Sequence, residues 1–321
     1  MSEEKLLALP GGRTLAYAEA GSVSSVTVVI FFHGAFGVGD VNRLSPVLLQ
    51  KDVHYIAPTL PGWGNSSPAR RGVTYAASLV ADISTLIDHL HPNIADVKLY
   101  IAGVSFGTVA AQMVYGASYE VFPTGRNIVS LLLINPFSPF NSHRGYSKCM
   151  SWGVYLAFGY PARLIPFHLI PRLMKLTLKN KVSTPEAAEA FLQITTFGKM
   201  DDAELSTLEQ WRVSQGLEKG QVEREMAQNF VLSVAKSWDG FLGMAGVLHS
   251  DWGGFTPSGL DDEHSRRPVL IVSSKGDYMT PEGWALYLAE NYKNAQMKSF
   301  EGGHLAALFH LDEIWEEFFE L

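Results

Sequence analysis

Two kinds of hydrophobic pattern alternate along residues 1–136 and again from residue 268 onward. Short, nearly continuous apolar runs, such as residues 26–32, are typical of strands that are covered on both faces. Between them lie segments with apolar residues at helical spacing, such as the helix expected after Thr74, with Leu79 and Ile83 on one face. Strands that alternate with helices predict an α/β fold with a mostly parallel sheet and helices on both sides.

The predicted strands are residues 6–9 and 13–20, which form a hairpin, and then 26–32, 53–57, 97–102, 128–135, 269–273 and 295–300. Further helices are expected between Gly37 and about Gln50, over residues 108–115, and after a cap at Thr280. A final amphipathic helix is predicted to carry Leu308, Phe309, Ile314, Trp315 and Phe318.

The alternation stops between residues 137 and 267, where helix signals dominate. Ser183-Thr184-Pro185-Glu186 combines a hydroxyl cap, a proline in the first turn and an acid, and Asp201-Asp202-Ala203-Glu204 opens another helix. We therefore expect a core of residues 1–136 and 268–321. Residues 137–267 are expected to form a helical cap domain over the active edge of the sheet, with an extra packing lobe as the alternative.

Aromatic residues are frequent in the predicted cap, where they could line a pocket. Most of them are expected to form the cap's own core. They are Trp152, Tyr155, Phe158, Phe167, Phe191, Trp211, Trp238 and Phe241.

The sequence Gly103-Val104-Ser105-Phe106-Gly107 lies between a predicted strand and a predicted helix. A strand that turns sharply into a helix holds its middle residue in a strained conformation, and the flanking glycines let the two elements touch. Such a turn lifts the Ser105 hydroxyl out of the sheet and places it at the positive end of a helix. This pattern predicts Ser105 as a catalytic nucleophile.

A serine nucleophile needs a base, and the base needs a carboxylate that orients it. Asp277 and His304 each follow a predicted strand, so they are expected at the same edge of the sheet as Ser105. The order Ser, Asp, His along the chain is the one expected for this type of turn. Asp251, Asp261 and Asp262 are rival acids that do not directly follow a strong strand.

Acyl transfer also needs donors for the oxyanion of the tetrahedral intermediate. The backbone N–H of Phe106, just after the nucleophile, is one candidate, and that of Ala35, in the Gly-rich loop after residue 32, is the second. Phe36 is the reserve for Ala35. His33 is predicted to organise this loop and to take no part in catalysis.

Over its whole length, the chain resembles the α/β-hydrolase-fold serine hydrolases that carry a helical cap. The resemblance implies Ser105 as nucleophile, Asp277 as acid, His304 as base, and the N–H groups of Ala35 and Phe106 as the oxyanion hole. A serine at the turn differs from the aspartate of epoxide hydrolases and haloalkane dehalogenases. The loop His33-Gly34-Ala35-Phe36-Gly37 differs from the His-Gly-Gly-Pro-Gly of proline iminopeptidases, and Thr59 stands where relatives often have aspartate.

Composition restricts the kinds of partner and the location that we expect for this protein. The net charge of −7 argues against nucleic acid as a partner. The single cysteine and a polar N-terminus without a signal-peptide pattern favour a cytoplasmic location. No apolar run approaches the ~20 residues of a transmembrane helix. We expect no metal and no cofactor, an apolar small-molecule substrate, and a monomer or homodimer.

Three functions follow from this constellation. The first is hydrolysis of a carboxylic ester, including a lactone or thioester, through an acyl-serine intermediate. The second is hydrolysis of a carbon–carbon bond, or a lyase reaction, by the same triad. The third is ligand binding without turnover, since a fold does not fix a function.

Overall fold

The computed structural model describes residues 3–93, 96–165 and 169–321. Phe167, one of the aromatic residues predicted for the cap, lies outside the described residues, as do Met1 and Ser2. The strands within these ranges are β1 (Lys5–Leu9), β2 (Arg13–Gly21), β3 (Thr27–Phe32), β4 (His54–Pro58), β5 (Lys98–Val104), β6 (Ile128–Ile134), β7 (Val269–Ser274) and β8 (Ala295–Phe300).

All of these strands form one sheet, in the order β1-β2-β4-β3-β5-β6-β7-β8. The pairs β1/β2 and β2/β4 are antiparallel, and the remaining neighbours are parallel. The predicted hairpin and the mostly parallel sheet are both confirmed. The carboxyl ends of β3, β5, β6, β7 and β8 therefore meet at one edge, which we call the rim.

The helices of the core before β6 are α1 (Pro46–Gln50), α2 (Tyr75–Leu90) and α3 (Gly107–Tyr115). Those after β7 are α12 (Glu282–Asn291) and α13 (Leu311–Glu320). Between β6 and β7 lie α4 (Trp152–Phe158), α5 (Tyr160–Leu164), α6 (Leu169–Leu178), α7 (Pro185–Thr195), α8 (Asp202–Ser214), α9 (Gln221–Ala235), α10 (Asp239–Leu248) and α11 (Asp262–Ser265).

Alternation along the strands places apolar side chains on both faces of the sheet. In β3, Val28 and Ile30 belong to the cluster that contains residues of α2, α3 and α12. Val29 belongs instead to the cluster with Val47 of α1 and Trp315 of α13. The sheet is thus covered by helices on both sides, which explains its continuous apolar strands.

Two predicted helices have different bounds in the structure. Residues 38–45 are not helical. The backbone at Gly39 lies so close to β4 that a Cβ there would be 1.9 Å from the Ala57 carbonyl oxygen. The helix begins only at Pro46, where the Ser45 hydroxyl caps it. The C-terminal helix is also shorter than predicted, since Leu308 and Phe309 lie in a separate 3₁₀ turn, Ala306–His310.

Residues 137–267, which we call the helical insertion, contain helices and no strand among the described residues. The two predicted helix starts are confirmed: Thr184 caps α7, and Asp201 and Glu204 form a reciprocal capping box at α8. Helices α7, α8 and α9 share a small apolar cluster that also takes in Leu305 of the core. The insertion therefore packs directly beside the His304 loop. None of the helices among the described residues has both the length and the hydropathy that crossing a membrane requires.

Candidate active site

Ser105 lies in a sharp turn between β5 and α3. Its φ angle is 51°, in the left-handed region, and its N–H donates to the Ile134 carbonyl at 2.8 Å. This conformation costs about 1–3 kcal/mol for a residue other than glycine, and it persists only where the surroundings enforce it. The turn has the geometry that the sequence predicted.

The two glycines of this turn allow the strand and the helix to touch. A Cβ at Gly103 would lie 2.5 Å from the Gly107 carbonyl oxygen, and one at Gly107 would lie 2.1 Å from the Phe32 carbonyl oxygen. Both distances are far below van der Waals contact. The steric reason for glycine at these positions is therefore confirmed.

A buried polar network holds the turn from below. The Thr108 hydroxyl donates to the Ser105 carbonyl at 2.6 Å and accepts from the Phe137 N–H at 3.1 Å. The buried Gln112 amide donates to the Phe137 carbonyl at 2.9 Å. The start of α3 is thus fixed to the chain that follows β6.

Asp277 and His304 are joined by a hydrogen bond of 2.6 Å between Oδ2 and Nδ1. An ionised carboxylate only accepts, so Nδ1 carries the proton and Nε2 is left as the basic nitrogen of the ring. Asp277 is buried, and the same oxygen accepts from the Thr280 hydroxyl at 2.5 Å. The other oxygen, Oδ1, accepts from the N–H groups of Met279 and Thr280 at 2.8 and 3.0 Å.

Thr280 has a different role from the one predicted. It does not cap α12, whose N-cap residue is Pro281. Its hydroxyl is already used by Asp277, and its own N–H closes the turn around that carboxylate. Thr280 is therefore a direct hydrogen-bond partner of Asp277 and not a helix cap.

The hydrogen bonds around Asp277 set its charge state. Burial would raise the pKa of this carboxyl, but its electrostatic interaction with His304 and the hydrogen bonds from His304 and Thr280 outweigh burial. The pKa of Asp277 is therefore lowered from its ordinary value. The carboxylate stays ionised and holds the His304 ring in one tautomer.

Two further residues hold the His304 loop. Asn135, with a φ of 48° after β6, donates to the His304 carbonyl at 2.7 Å and accepts from Ser274 at 3.1 Å. Glu204, from the helical insertion, accepts from the Gly303 N–H at 2.5 Å. Sequence reasoning missed both. The sequence pattern predicts Glu204 only as part of a helix start and Asn135 only as the end of a strand.

The three rival acids have other partners. Asp261 caps α11 and pairs with His264 at 2.9 Å, and Asp262 pairs with Lys293 at 3.1 Å. The Asp251 side chain accepts from the Gly253 N–H at 3.1 Å. Among these candidates, it is Asp277 that the fold brings to His304.

The loop after β3 lies against Ser105. A Cβ at Gly34 would be 3.3 Å from the Ser105 Cβ, and Ala35 lines the same cavity as Ser105. The N–H groups of Ala35, Phe36 and Phe106 find no acceptor in the part of the chain that the structure describes. The two predicted oxyanion donors, Ala35 and Phe106, are therefore unpaired among the described residues, and Ala35 lines the cavity.

His33 fixes this loop. Its Nδ1 donates to the Gly34 carbonyl at 2.7 Å, and its Nε2 accepts from the Leu60 N–H at 2.9 Å. Burial lowers the pKa of His33 to about 4, against which the bond to Gly34 acts only weakly. With both ring nitrogens occupied, His33 organises the loop, as predicted.

Phe36 connects the same loop to the helical insertion. Its φ is 56°, and its ring stacks on Phe230 of α9 with a centroid distance of 5.1 Å. The Phe241 ring of α10 also contacts Phe36, with a centroid distance of 5.3 Å. The loop that carries Ala35 is thereby packed against both α9 and α10.

Ser105 and His304 line one cavity of about 540 Å³ between the rim and the insertion. This size is within the range of small-molecule sites. Three of the aromatic residues predicted for a pocket line it, Phe158, Phe191 and Phe241, whereas Trp152 is 78% exposed. Other apolar lining residues are Met174, Leu178, Leu192, Met226, Phe230, Met244 and Leu308.

The sequence model of the alpha/beta hydrolase family matches residues 29–321. This chain belongs to the alpha/beta hydrolase family. The predicted resemblance and fold class are thus confirmed. A search of curated protein sequences found no significant match.

Several solved structures share the fold. An esterase from Exiguobacterium antarcticum superposes with a TM-score of 0.61 at 16% identity, covering 100% of this chain and 98% of the esterase. A bromoperoxidase from Bacillus anthracis gives 0.61 at 15% identity, with 99% and 100% covered. A thermophilic esterase from Thermogutta terrifontis gives 0.54 at 16% identity, with 99% and 97% covered. At these identities the likeness concerns the fold.

Proposed function

We propose that this alpha/beta hydrolase is a serine hydrolase that cleaves carboxylic esters of apolar small molecules through an acyl-Ser105 intermediate. The observation that carries the proposal is the arrangement around the cavity. A strained serine and a histidine line the same wall, and the histidine is held by a buried, ionised aspartate. Lactones and thioesters have the same acyl chemistry and are included.

The proposed mechanism assigns one step to each group. Ser105 Oγ attacks the ester carbonyl while His304 Nε2 takes its proton. The N–H groups of Ala35 and Phe106 hold the oxyanion that forms. The imidazolium then gives its proton to the departing alcohol, which leaves an acyl-Ser105. Water, deprotonated by His304, attacks this ester and releases the carboxylic acid and the free serine.

The cavity supports an apolar substrate. The part of its lining that the insertion supplies consists mostly of phenylalanine, leucine and methionine side chains, and these bind acyl or aromatic groups by excluding water. We propose that residues 137–267 act as a cap over the rim, which shields the acyl-enzyme and selects the substrate.

A panel of p-nitrophenyl esters from acetate to laurate tests the proposal. We expect hydrolysis with burst kinetics, which Ser105→Ala abolishes while the near-ultraviolet circular dichroism stays unchanged. Dienone and cyanohydrin substrates, run beside the esters, test the carbon–carbon hydrolase and lyase alternatives. Turnover of those substrates without ester hydrolysis, or no turnover by a folded protein, would contradict the proposal.

A further inference from the structure

Helix α6 is apolar on two opposite sides. Met174 and Leu178 line the cavity. Leu169, Leu173 and Leu176, at positions i, i+4 and i+7, lie on the outer side and are 50%, 53% and 69% exposed. A helix that packs only against its own protein has a polar outer face. The outer leucines of α6 therefore need another explanation.

Neighbouring helices extend this surface. Trp152 and Leu156 of α4 and Leu164 of α5 are 78%, 48% and 72% exposed. Helices α4, α5 and α6 contact one another, and all three contact α10, so these exposed side chains belong to adjacent helices. Apolar groups exposed together in this way mark an interaction site. We call these six residues the outer patch: Trp152, Leu156, Leu164, Leu169, Leu173 and Leu176.

The charge of the same segment is opposite to that of the whole protein. Residues 137–185 contain seven lysines and arginines and no aspartate or glutamate, although the chain carries a net charge of −7. The rest of the insertion, residues 186–267, contains seven basic and fourteen acidic residues. Arg163 and Arg172, which directly precede Leu164 and Leu173 in the sequence, are exposed. The segment therefore combines the apolar outer patch with exposed basic residues.

This combination matches the surface of an anionic lipid bilayer. An interfacial helix buries its apolar side chains at the boundary of the acyl chains, while lysine and arginine meet the head groups. An exposed tryptophan beside such residues is typical of the interfacial belt. With ten residues, α6 is too short to span a bilayer and can only lie along it.

We propose that the outer patch binds the surface of membranes that contain anionic lipids. Leucine and tryptophan side chains enter the interface, and the basic residues between them pair with lipid head groups. Since Met174 and Leu178 lie on the opposite side of α6, the bound protein holds its cavity one helix diameter from the apolar phase. Apolar substrates would then need to cross little water.

Flotation with lipid vesicles tests this proposal without any substrate, so its outcome is independent of the proposed hydrolase activity. We expect the wild-type protein to float with phosphatidylcholine vesicles that contain 30% phosphatidylserine, and much less with phosphatidylcholine alone. High salt should weaken binding. Leu173→Ser/Leu176→Ser should lower the affinity at least tenfold, and Arg163→Gln/Arg172→Gln about 25-fold, or roughly fivefold per charge.

Matched variants on the second half of the insertion serve as controls. Ile194→Ser/Val213→Ser removes two exposed apolar side chains, and Lys219→Gln/Lys236→Gln removes two exposed charges. Both should float like the wild type. Three results would overturn the proposal: no flotation with anionic vesicles at low salt, equal losses in patch and control variants, or a dimer in solution that Leu173→Ser/Leu176→Ser dissociates.

Discussion

The rim and the helical insertion form two walls of the same cavity, and they are built differently. Phe36, Ser105 and Asn135, all of the rim, are three of the five described non-glycine residues with a positive φ. Specific contacts fix them: the Ser105 N–H donates to the Ile134 carbonyl, the Asn135 amide donates to the His304 carbonyl, and aromatic rings pack against Phe36. Each position on the rim therefore admits few residue types.

The insertion's wall depends on apolar side chains that have many equivalent packings. Met174, Met226 and Met244 line it beside leucines and phenylalanines. Methionine is flexible and adapts to irregular shapes. Under the proposed function, the rim determines which reaction occurs and the insertion determines which substrate fits. Changes on the rim should thus cost rate, and changes on the insertion should alter selectivity.

The largest effect is expected from His304→Ala. This change removes the proposed base, so the rate of acylation should fall at least about 10⁴-fold, with residual catalysis from the oxyanion donors. Steady-state and burst kinetics measure the loss. His89→Ala, on the exposed side of α2, is the matched control and should keep full activity. A loss below tenfold for His304→Ala would show that another group acts as the base.

Stability should fall on acidification because of His33. The pKa of the buried ring is about 4 when folded, below the ~6.5 of an unfolded histidine. Between these pH values the unfolded chain binds the proton more tightly than the folded protein does. The contribution of His33 to the free energy of unfolding is therefore complete above pH 6.5, and about 3 kcal/mol of it is lost as the pH falls to 4.

Urea unfolding at pH 7, 5.5 and 4.5 checks this slope. His33→Gln should have a flatter dependence on pH than the wild type, while His89→Gln should keep the wild-type slope. If the free energy of unfolding depends on pH in the same way for His33→Gln and the wild type, the conclusion that His33 is neutral in the folded protein is contradicted.

Thr280→Val tests the hydroxyl beside the acid. The variant leaves Asp277 without one donor, so kcat should fall about 10- to 100-fold, since hydrogen bonds to charged groups are worth about 1.5–3 kcal/mol. The pKa of Asp277 should rise toward its ordinary value. Thr280→Ser keeps the hydroxyl and should retain activity. An unchanged kcat in Thr280→Val would show that the Thr280 hydroxyl does not contribute to catalysis through Asp277.

The smallest effect is expected on the insertion's wall. Met226→Phe narrows the cavity, so kcat/KM for a laurate ester should fall about tenfold relative to the acetate ester. Met297→Phe, on β8 away from the cavity, should leave this ratio unchanged. A uniform loss for both esters in Met226→Phe would mean that the insertion affects the chemistry as well as the fit.

The same contrast explains what the sequence could predict. Ser105, Asp277 and His304 could be proposed as one site because a sharp turn, a strand end and a glycine pair each leave a local signature. Thr280 was misread because a threonine before proline has the pattern of a helix cap, and only the fold shows its hydroxyl beside Asp277. Asn135 and Glu204 act through contacts that are distant in sequence.

The helices of the insertion were predicted, but their packing was not. Apolar residues at helical spacing indicate that a face is covered, without indicating by what. Hence Phe191 and Trp152 had the same pattern, although one lines the cavity and the other is exposed. The helix predicted up to Gln50 begins later than expected for a related reason, because the close approach of Gly39 to β4 is a tertiary contact.

Labelling with a fluorophosphonate, followed by peptide mass spectrometry, addresses the role of Ser105 most directly. The probe should form one adduct on Ser105, at a rate that His304→Ala lowers at least about 10³-fold. Ser105→Ala should remain unlabelled. A folded wild-type protein that forms no adduct, or forms it on a different serine at full rate, would contradict the account of a nucleophile activated by His304 and Asp277.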